Sequence, residues 1–222
     1  MRGWLVQQLA KLAISRVADE DVLIHADSDV VLFRPFDADV LRGDGQSFPL
    51  YRIPAVVDER LPKHVRWHRT AERLLGLERR PLPLPDYIGG LVPWRRDVVR
   101  ALLDEIARGS RRDWVQALAS ARELSEYILY GRFVDDLLGK TSGSPPQCPS
   151  LCHCYWGSSP ITNSALDEFI GASAPSEIGV MVSAVAGMDP ATYAEVFERR
   201  WREAASERPR AQLVPRGEVS DS

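Results

Sequence analysis

Apolar and polar positions follow two rhythms along this chain, one of helical and one of extended period. Gly3 to Val17 sets Leu5, Leu9, Leu12 and Ile14 among Gln7, Gln8 and Lys11, a spacing that predicts a helix of about four turns. Two short apolar runs follow, Val22-Leu23-Ile24 and Val30-Val31-Leu32-Phe33, whose β-branched content predicts buried strand. Asp39 to Pro62 is rich in Gly, Pro and Asp; it predicts loop and edge structure with strand-like pieces such as Phe48 to Ile53. Helical periodicity returns over Lys63 to Leu77, with Gly76 near its end. Arg79 to Pro85 predicts an extended linker, and Tyr87 to Trp94 a short strand interrupted by Gly89-Gly90. Arg95 to Ala107 turns Val98, Val99, Leu102, Leu103 and Ile106 to one side, an amphipathic helix stopped by Gly109.

Further helices are predicted from Trp114 to Arg122 and from Ser125 toward Leu138, then a flexible loop over Lys140 to Pro149. Leu151 to Trp156 and Ile178 to Val185 predict strands. Asp189-Pro190 caps a last helix ending near Trp201, since Asp suits the cap and Pro the first helical position. Alternating strands and helices argue for an α/β domain with a mixed, mostly parallel sheet flanked by helices. In such sheets ligands bind outside the carboxyl ends of the strands.

The chain has 222 residues, enough for one substantial domain, here residues 1–205, followed by a polar tail, 206–222, that predicts disorder. A net charge of −3 supplies no bulk attraction for nucleic acid or an anionic membrane. No apolar stretch approaches the roughly 20 residues that span a bilayer. The start, MRGWLVQQLAKL, has no hydrophobic signal core, so a cytoplasmic protein is expected. Three cysteines crowded at Cys148, Cys152 and Cys154 do not form a disulfide framework.

The chemistry concentrates between the two first apolar runs, at Asp27-Ser28-Asp29. Residues two apart on an extended chain point the same way, so both carboxylates are expected to aim at one point where the strand ends. Two such anions repel unless a cation lies between them or one is protonated. Oxygen ligands favour Mg²⁺ or Mn²⁺, which commonly bridge to substrate phosphates. A pair of strand-end carboxylates capping a turn is the structural alternative.

Five blocks, GWLVQQLAKL, HADSDVVLFRPF, YIGGLVPWRRDVV, LSEYILYG and LCHCYWG, together resemble a bacterial group of glycosyltransferase-like proteins of the GT-A fold, over Gly3 to about Trp201. The resemblance implies a nucleoside-diphosphate-sugar donor bound through Mn²⁺ or Mg²⁺, with Asp27 and Asp29 as metal ligands and an acceptor of unspecified kind. It implies His153 as a third ligand, its imidazole reaching inward while Cys152 and Cys154 face the other way and pack; a core histidine is the alternative. A zinc site of Cys148, Cys152, His153 and Cys154 lacks the usual spaced ligand pairs. Gly89 and Gly90 would let backbone approach a sugar, and Asp86 would accept from its hydroxyls; a glycine bulge with Asp86 as turn former stands beside that. Glu126, after the helix cap Ser125, resembles the carboxylate that takes the acceptor proton, and ordinary helix-end stabilisation explains it equally. Lys11 and Gln8, one turn apart, would face the donor phosphates; a solvated helix face is the alternative.

The same resemblance implies two or three nucleotide-binding βα units, roughly 30 residues each, ahead of Gly3. They are absent from this sequence, so an N-terminally truncated domain, or a non-catalytic remnant, is expected. A different enzyme class also fits the motif: a haloacid-dehalogenase-like phosphatase would use Asp27 as nucleophile and Asp29 as acid/base, with Lys63 and Asp135-Asp136 completing the site. His64 and His68 share helical spacing and are expected at an acceptor contact or the surface, and Asp135-Asp136 as a helix-end surface pair.

Overall fold

The computed structural model describes residues 3–36, 50–121, 123–139 and 147–206. Among them the protein is mixed α/β, with seven α-helices and several small sheets. Helix α1 (Gly3–Ala13) turns Leu9 and Leu12 inward, then β1 (Val22–Ala26) and β2 (Val30–Leu32) flank the acidic turn. Next come β3 (Leu50–Tyr51), β4 (Ile53–Val57), α2 (Pro62–Leu75), β5 (Leu84–Asp86), β6 (Leu91–Arg95) and α3 (Arg96–Ser110). Helix α2 stops where Gly76 takes a φ of 62°, a left-handed conformation that costs glycine nothing. Helix α3 runs through Gly109 and ends with Arg111 left-handed, so the expected glycine stop falls two residues late.

The short α4 (Trp114–Ala119) leads to α5 (Glu126–Phe133), which continues into a π-helical turn, Val134–Leu138. All eight residues of α5 are buried, so this helix is surrounded by others instead of presenting one face to water. The chain then gives β7 (Gln147–Cys148), β8 (Cys152–Tyr155), α6 (Asn163–Gly171), β9 (Gly179–Val182) and α7 (Pro190–Ser206). Helix α6 has no counterpart in the sequence reading, although Thr162 caps it by accepting from the Ala165 N–H. The expected loop at 140–146 and the tail from 207 lie outside the described residues, as does 37–49.

Strand pairing departs from the expected mostly parallel sheet. β1–β6, β2–β9 and β4–β5 are antiparallel, whereas β3–β7 and β8–β9 are parallel. The reason is local: β1 meets β6, and β2 leaves for a separate sheet of order β2-β9-β8, so no crossover unit closes between them. Two apolar clusters follow from this division. One packs α1 to α5 on Val92 and Trp94 of β6; the other packs α6 and α7 on β2 and β9. A third cluster, including Leu91, Cys148, Cys152 and Met181, joins them.

Candidate functional site

The acidic turn is the corner at which the chain passes from one sheet to the other. Ala26 lies opposite Leu91 at the end of the β1–β6 ladder, and the Asp27 N–H adds one more rung to the Gly90 carbonyl at 3.0 Å. The Val30 N–H then returns to the Asp27 carbonyl at 3.2 Å, closing a tight turn before β2 pairs with β9. That turn ends the period-two alternation, and the two carboxylates find different partners. Asp27 Oδ1 accepts from Lys11 Nζ at 2.7 Å and from the Tyr127 hydroxyl at 3.2 Å. Asp29 Oδ2 accepts from the Ala184 N–H at 3.1 Å. The two carboxylates thus have different hydrogen-bond partners and line one cleft.

This cleft encloses about 510 Å³ and is lined by Asp27, Asp29, Lys11, Gln8, Glu126 and Tyr127, with Trp4, Trp67 and Trp156 on its walls. Lys11 stands at its centre of charge. Its ammonium lies 2.7 Å from Asp27, 2.8 Å from the Tyr127 hydroxyl and 3.1 Å from Glu126 Oε1, and 4.3 Å above the Tyr127 ring. Three protons thus have three acceptors, which commits Lys11 to organising the carboxylates before it can meet any phosphate.

Glu126 opens α5, and Ser125 is the cap, its Oγ accepting from the Ile128 N–H at 3.4 Å. The Glu126 carboxylate therefore reaches Lys11 instead of capping. Burial raises its affinity for a proton above the ordinary carboxylate range, while Lys11 opposes that shift. Tyr127 was not expected here. Nothing in its spacing links it to Asp27, 100 residues earlier; only packing against Trp94 turns its hydroxyl to the cleft. Burial and then the neighbouring Asp27 push the Tyr127 hydroxyl far above its usual range, so it stays protonated and donates. Gln8 is 2 % exposed, and neither polar atom of its carboxamide has a hydrogen-bond partner among the described residues.

Asp86, Gly89 and Gly90 gather elsewhere. Asp86 Oδ1 accepts from the N–H groups of Tyr87 (2.8 Å) and Ile88 (3.2 Å), a turn former, and Oδ2 lies 3.0 Å from His64 Nδ1. The Asp86–His64 pair lines a second cavity of about 700 Å³ that shares Trp67, Ile88 and Trp156 with the first. The space beside the glycines is filled by protein: a Cβ on Gly89 would stand 2.9 Å from the Tyr51 ring, and one on Gly90 2.9 Å from Cys152 Sγ. The three cysteines are free, and all line the second cavity.

His153 alternates with Cys152 and Cys154, and the cysteines pack as expected, but the imidazole does not reach the acidic cleft. The cysteines face the cavity, while the imidazole lies 3.1 Å from Glu177 and 4.0 Å from the Phe169 ring of α6. It lines neither cavity. The phosphatase set is likewise not assembled. Lys63 lies 4.9 Å above the Trp67 ring and 5.6 Å above that of Trp4. Asp135 bonds Arg52 (2.6 Å) and the Tyr87 hydroxyl (2.7 Å), and Asp136 bonds Arg132 and Arg80. Asp136 and the fully buried His68 are corrected from surface to interior, both drawn in by the buried Arg132, while Asp135 turns inward to Arg52 and the Tyr87 hydroxyl.

No curated protein matches the chain. Lys11, Asp27, Asp29 and Glu126 all lie within residues 1–142, the segment that matches the model of a family of unknown function, DUF6492, and the chain belongs to that family.

Proposed function

We propose that the protein transfers a sugar from a nucleoside-diphosphate-sugar donor, and that Asp27 and Asp29 would hold a divalent cation there. The observation that carries this reading is the convergence of Asp27, Asp29, Glu126 and Lys11 on one cleft, three carboxylates against one ammonium. The excess negative charge calls for a cation. The donor set suits Mg²⁺ or Mn²⁺, because Asp27 and Asp29 offer hard oxygens and each keeps one carboxylate oxygen without a hydrogen bond among the described residues. Among those residues no group of three or more His, Cys, Asp or Glu is close enough to hold a metal by itself. Such ions commonly rest on one or two carboxylates and take their remaining ligands from substrate phosphates and water.

When bound, the cation supplies positive charge opposite the departing diphosphate. The protein's own groups do the rest. Lys11 fixes the Asp27 carboxylate, with the Tyr127 hydroxyl as second donor. Glu126, whose raised proton affinity brings it nearer working pH, is suited to take the acceptor proton. The second cavity, reached past Trp67 and Trp156, offers room for an acceptor. A GT-A-like fold accounts for a strand ending at the acidic turn, and the three free cysteines accord with a reducing, cytoplasmic setting.

Calorimetry with UDP- and GDP-sugars in the presence of Mn²⁺ tests the proposal. Cation-dependent binding is expected, weakened about tenfold or more by Asp29→Ala. Binding that ignores both the cation and the substitution overturns it.

A further inference from the structure

Gln8 is one of the buried polar side chains without a hydrogen-bond partner among the described residues. It sits one turn before Lys11 on α1, between residues that face the core, and only 2 % of it meets solvent. Among the described residues both Oε1 and Nε2 lack a partner, and so does the indole Nε1–H of Trp67, which is 8 % exposed. Each such group costs about 1–3 kcal/mol when buried unpaired, and protein interiors rarely keep one. Both side chains line the same cleft, with these three polar atoms closed to solvent, so the carboxamide and the indole meet a ligand only by turning outward. A leucine at position 8 would pack on α1 without that cost, so the carboxamide gains its hydrogen bonds from whatever enters.

We infer that Gln8 and Trp67 form a recognition subsite for a neutral, hydroxyl-bearing sugar ring, an inference that rests on the sugar-transfer reading above. Charge argues for neutrality: with three carboxylates against one ammonium on the wall, a free anion is repelled here, while an uncharged polyol is not. Valence argues for hydroxyls. The carboxamide offers two donor hydrogens and one acceptor oxygen and the indole one donor, a set that matches neighbouring hydroxyls, which both give and accept. Shape argues for a ring. Trp4, 43 % exposed, stacks on the buried Trp67 with centroids 5.8 Å apart and planes inclined by 25°, and offers flat apolar surface at the cleft. Trp67 also lines the second cavity, so a sugar held by it lies where donor and acceptor spaces meet.

The test is NMR of the full chain labelled with ¹⁵N at its tryptophans, the Trp67 indole resonance being assigned with Trp67→Phe. Free glucose, galactose, mannose and rhamnose are titrated separately, and UDP and GDP with Mg²⁺ in parallel. At least one sugar is expected to move the Trp67 Nε1–H resonance saturably in the millimolar range, and Gln8→Leu to weaken that binding about tenfold or more. Gln8→Leu should also melt at or above the wild-type temperature, because it removes unpaired buried atoms. A lower melting temperature would mean that the carboxamide serves the fold, and would overturn the subsite. So would the absence of any response up to about 100 mM sugar, a level at which even very weak affinity registers. Nucleotide binding with no sugar response sinks the subsite alone; sugar binding that depends on Gln8, with no nucleotide binding, keeps the subsite and sinks transfer from a nucleotide donor.

Discussion

Helix α5 belongs to two ionic clusters, one at each end, and they are built on opposite principles. At its far end Arg132, fully buried, donates to Asp136, to Glu72 at 3.2 Å and to His68 Nδ1 at 3.2 Å. Arg69 adds a second cation to Glu72 at 2.8 Å and Arg80 a second to Asp136. Three guanidinium groups thus meet two carboxylates. At the near end Lys11 alone meets Asp27 and Glu126, with Asp29 on the same cleft. A cluster whose carboxylates are fully matched by cations inside the core holds structure together, whereas one short of positive charge and open to a cavity is suited to bind a cation.

The sharpest way to break that contrast is to remove the core cation. Arg132→Met leaves Glu72 and Asp136 buried with a guanidinium missing from their midst, which should cost about 3–5 kcal/mol and lower the melting temperature by roughly 10 °C. Calorimetry checks it; a loss under about 1 kcal/mol would deny the core cluster its structural role.

Acid sensitivity comes next. His68 Nε2 donates to the Pro85 carbonyl at 2.9 Å and Nδ1 accepts from Arg132, which requires the neutral ring. Burial, then Arg132, lowers its pKa from 6.5 to about 4. The unfolded chain therefore binds the proton first, so the stability held by this ring is complete above about 6.5 and lost as pH falls toward about 4. The loss is on the order of 3 kcal/mol. His25, buried against Trp94 on β1, is also lowered to about 4 and keeps its own share. Urea titrations at pH 7 and 4.5 should show His68→Gln losing about half of the wild-type acid sensitivity; an unchanged difference would mean that His68 is charged in the fold.

Glu126 should show the smallest effect and the opposite sign. Its raised proton affinity means that the folded chain binds the proton first. Its contribution is present below the ordinary value of 4.5 and is lost as pH rises through the folded value. Glu126→Gln should remove that decline and lie within about 1 kcal/mol of wild type at pH 7, since Lys11 keeps Asp27. Denaturation across pH 4 to 7 reads this out; a collapse as deep as that expected for Arg132→Met would make the two clusters alike.

Much of the scaffold was legible because it depends on local pattern. The 3.6-residue spacing in α1, α2 and α3 and the β-branched runs of β1 and β2 declare themselves, and the acidic turn between those strands marked one wall of the cleft. Helix α6 passed unnoticed because its surroundings are rich in Ser, Ala and Pro, although Leu166 and Ile170, four apart and buried, carried the signal. Charged pairs misled for a physical reason. A carboxylate such as Asp136 prefers water unless a cation is buried with it, and four residues of spacing to Arg132 say nothing of burial.

The sequence by itself determined which segments extend, which coil, and that two carboxylates would fall at the end of a strand, because those follow from the nearest few side chains. Only the tertiary structure decided that β1 pairs antiparallel with β6 and that the acidic turn is a corner between sheets. It alone gave Asp27 the company of Lys11 and Tyr127 and turned His153 toward Glu177. Those outcomes depend on which surfaces bury each other across 16 to 100 residues of chain, and no local periodicity encodes that choice.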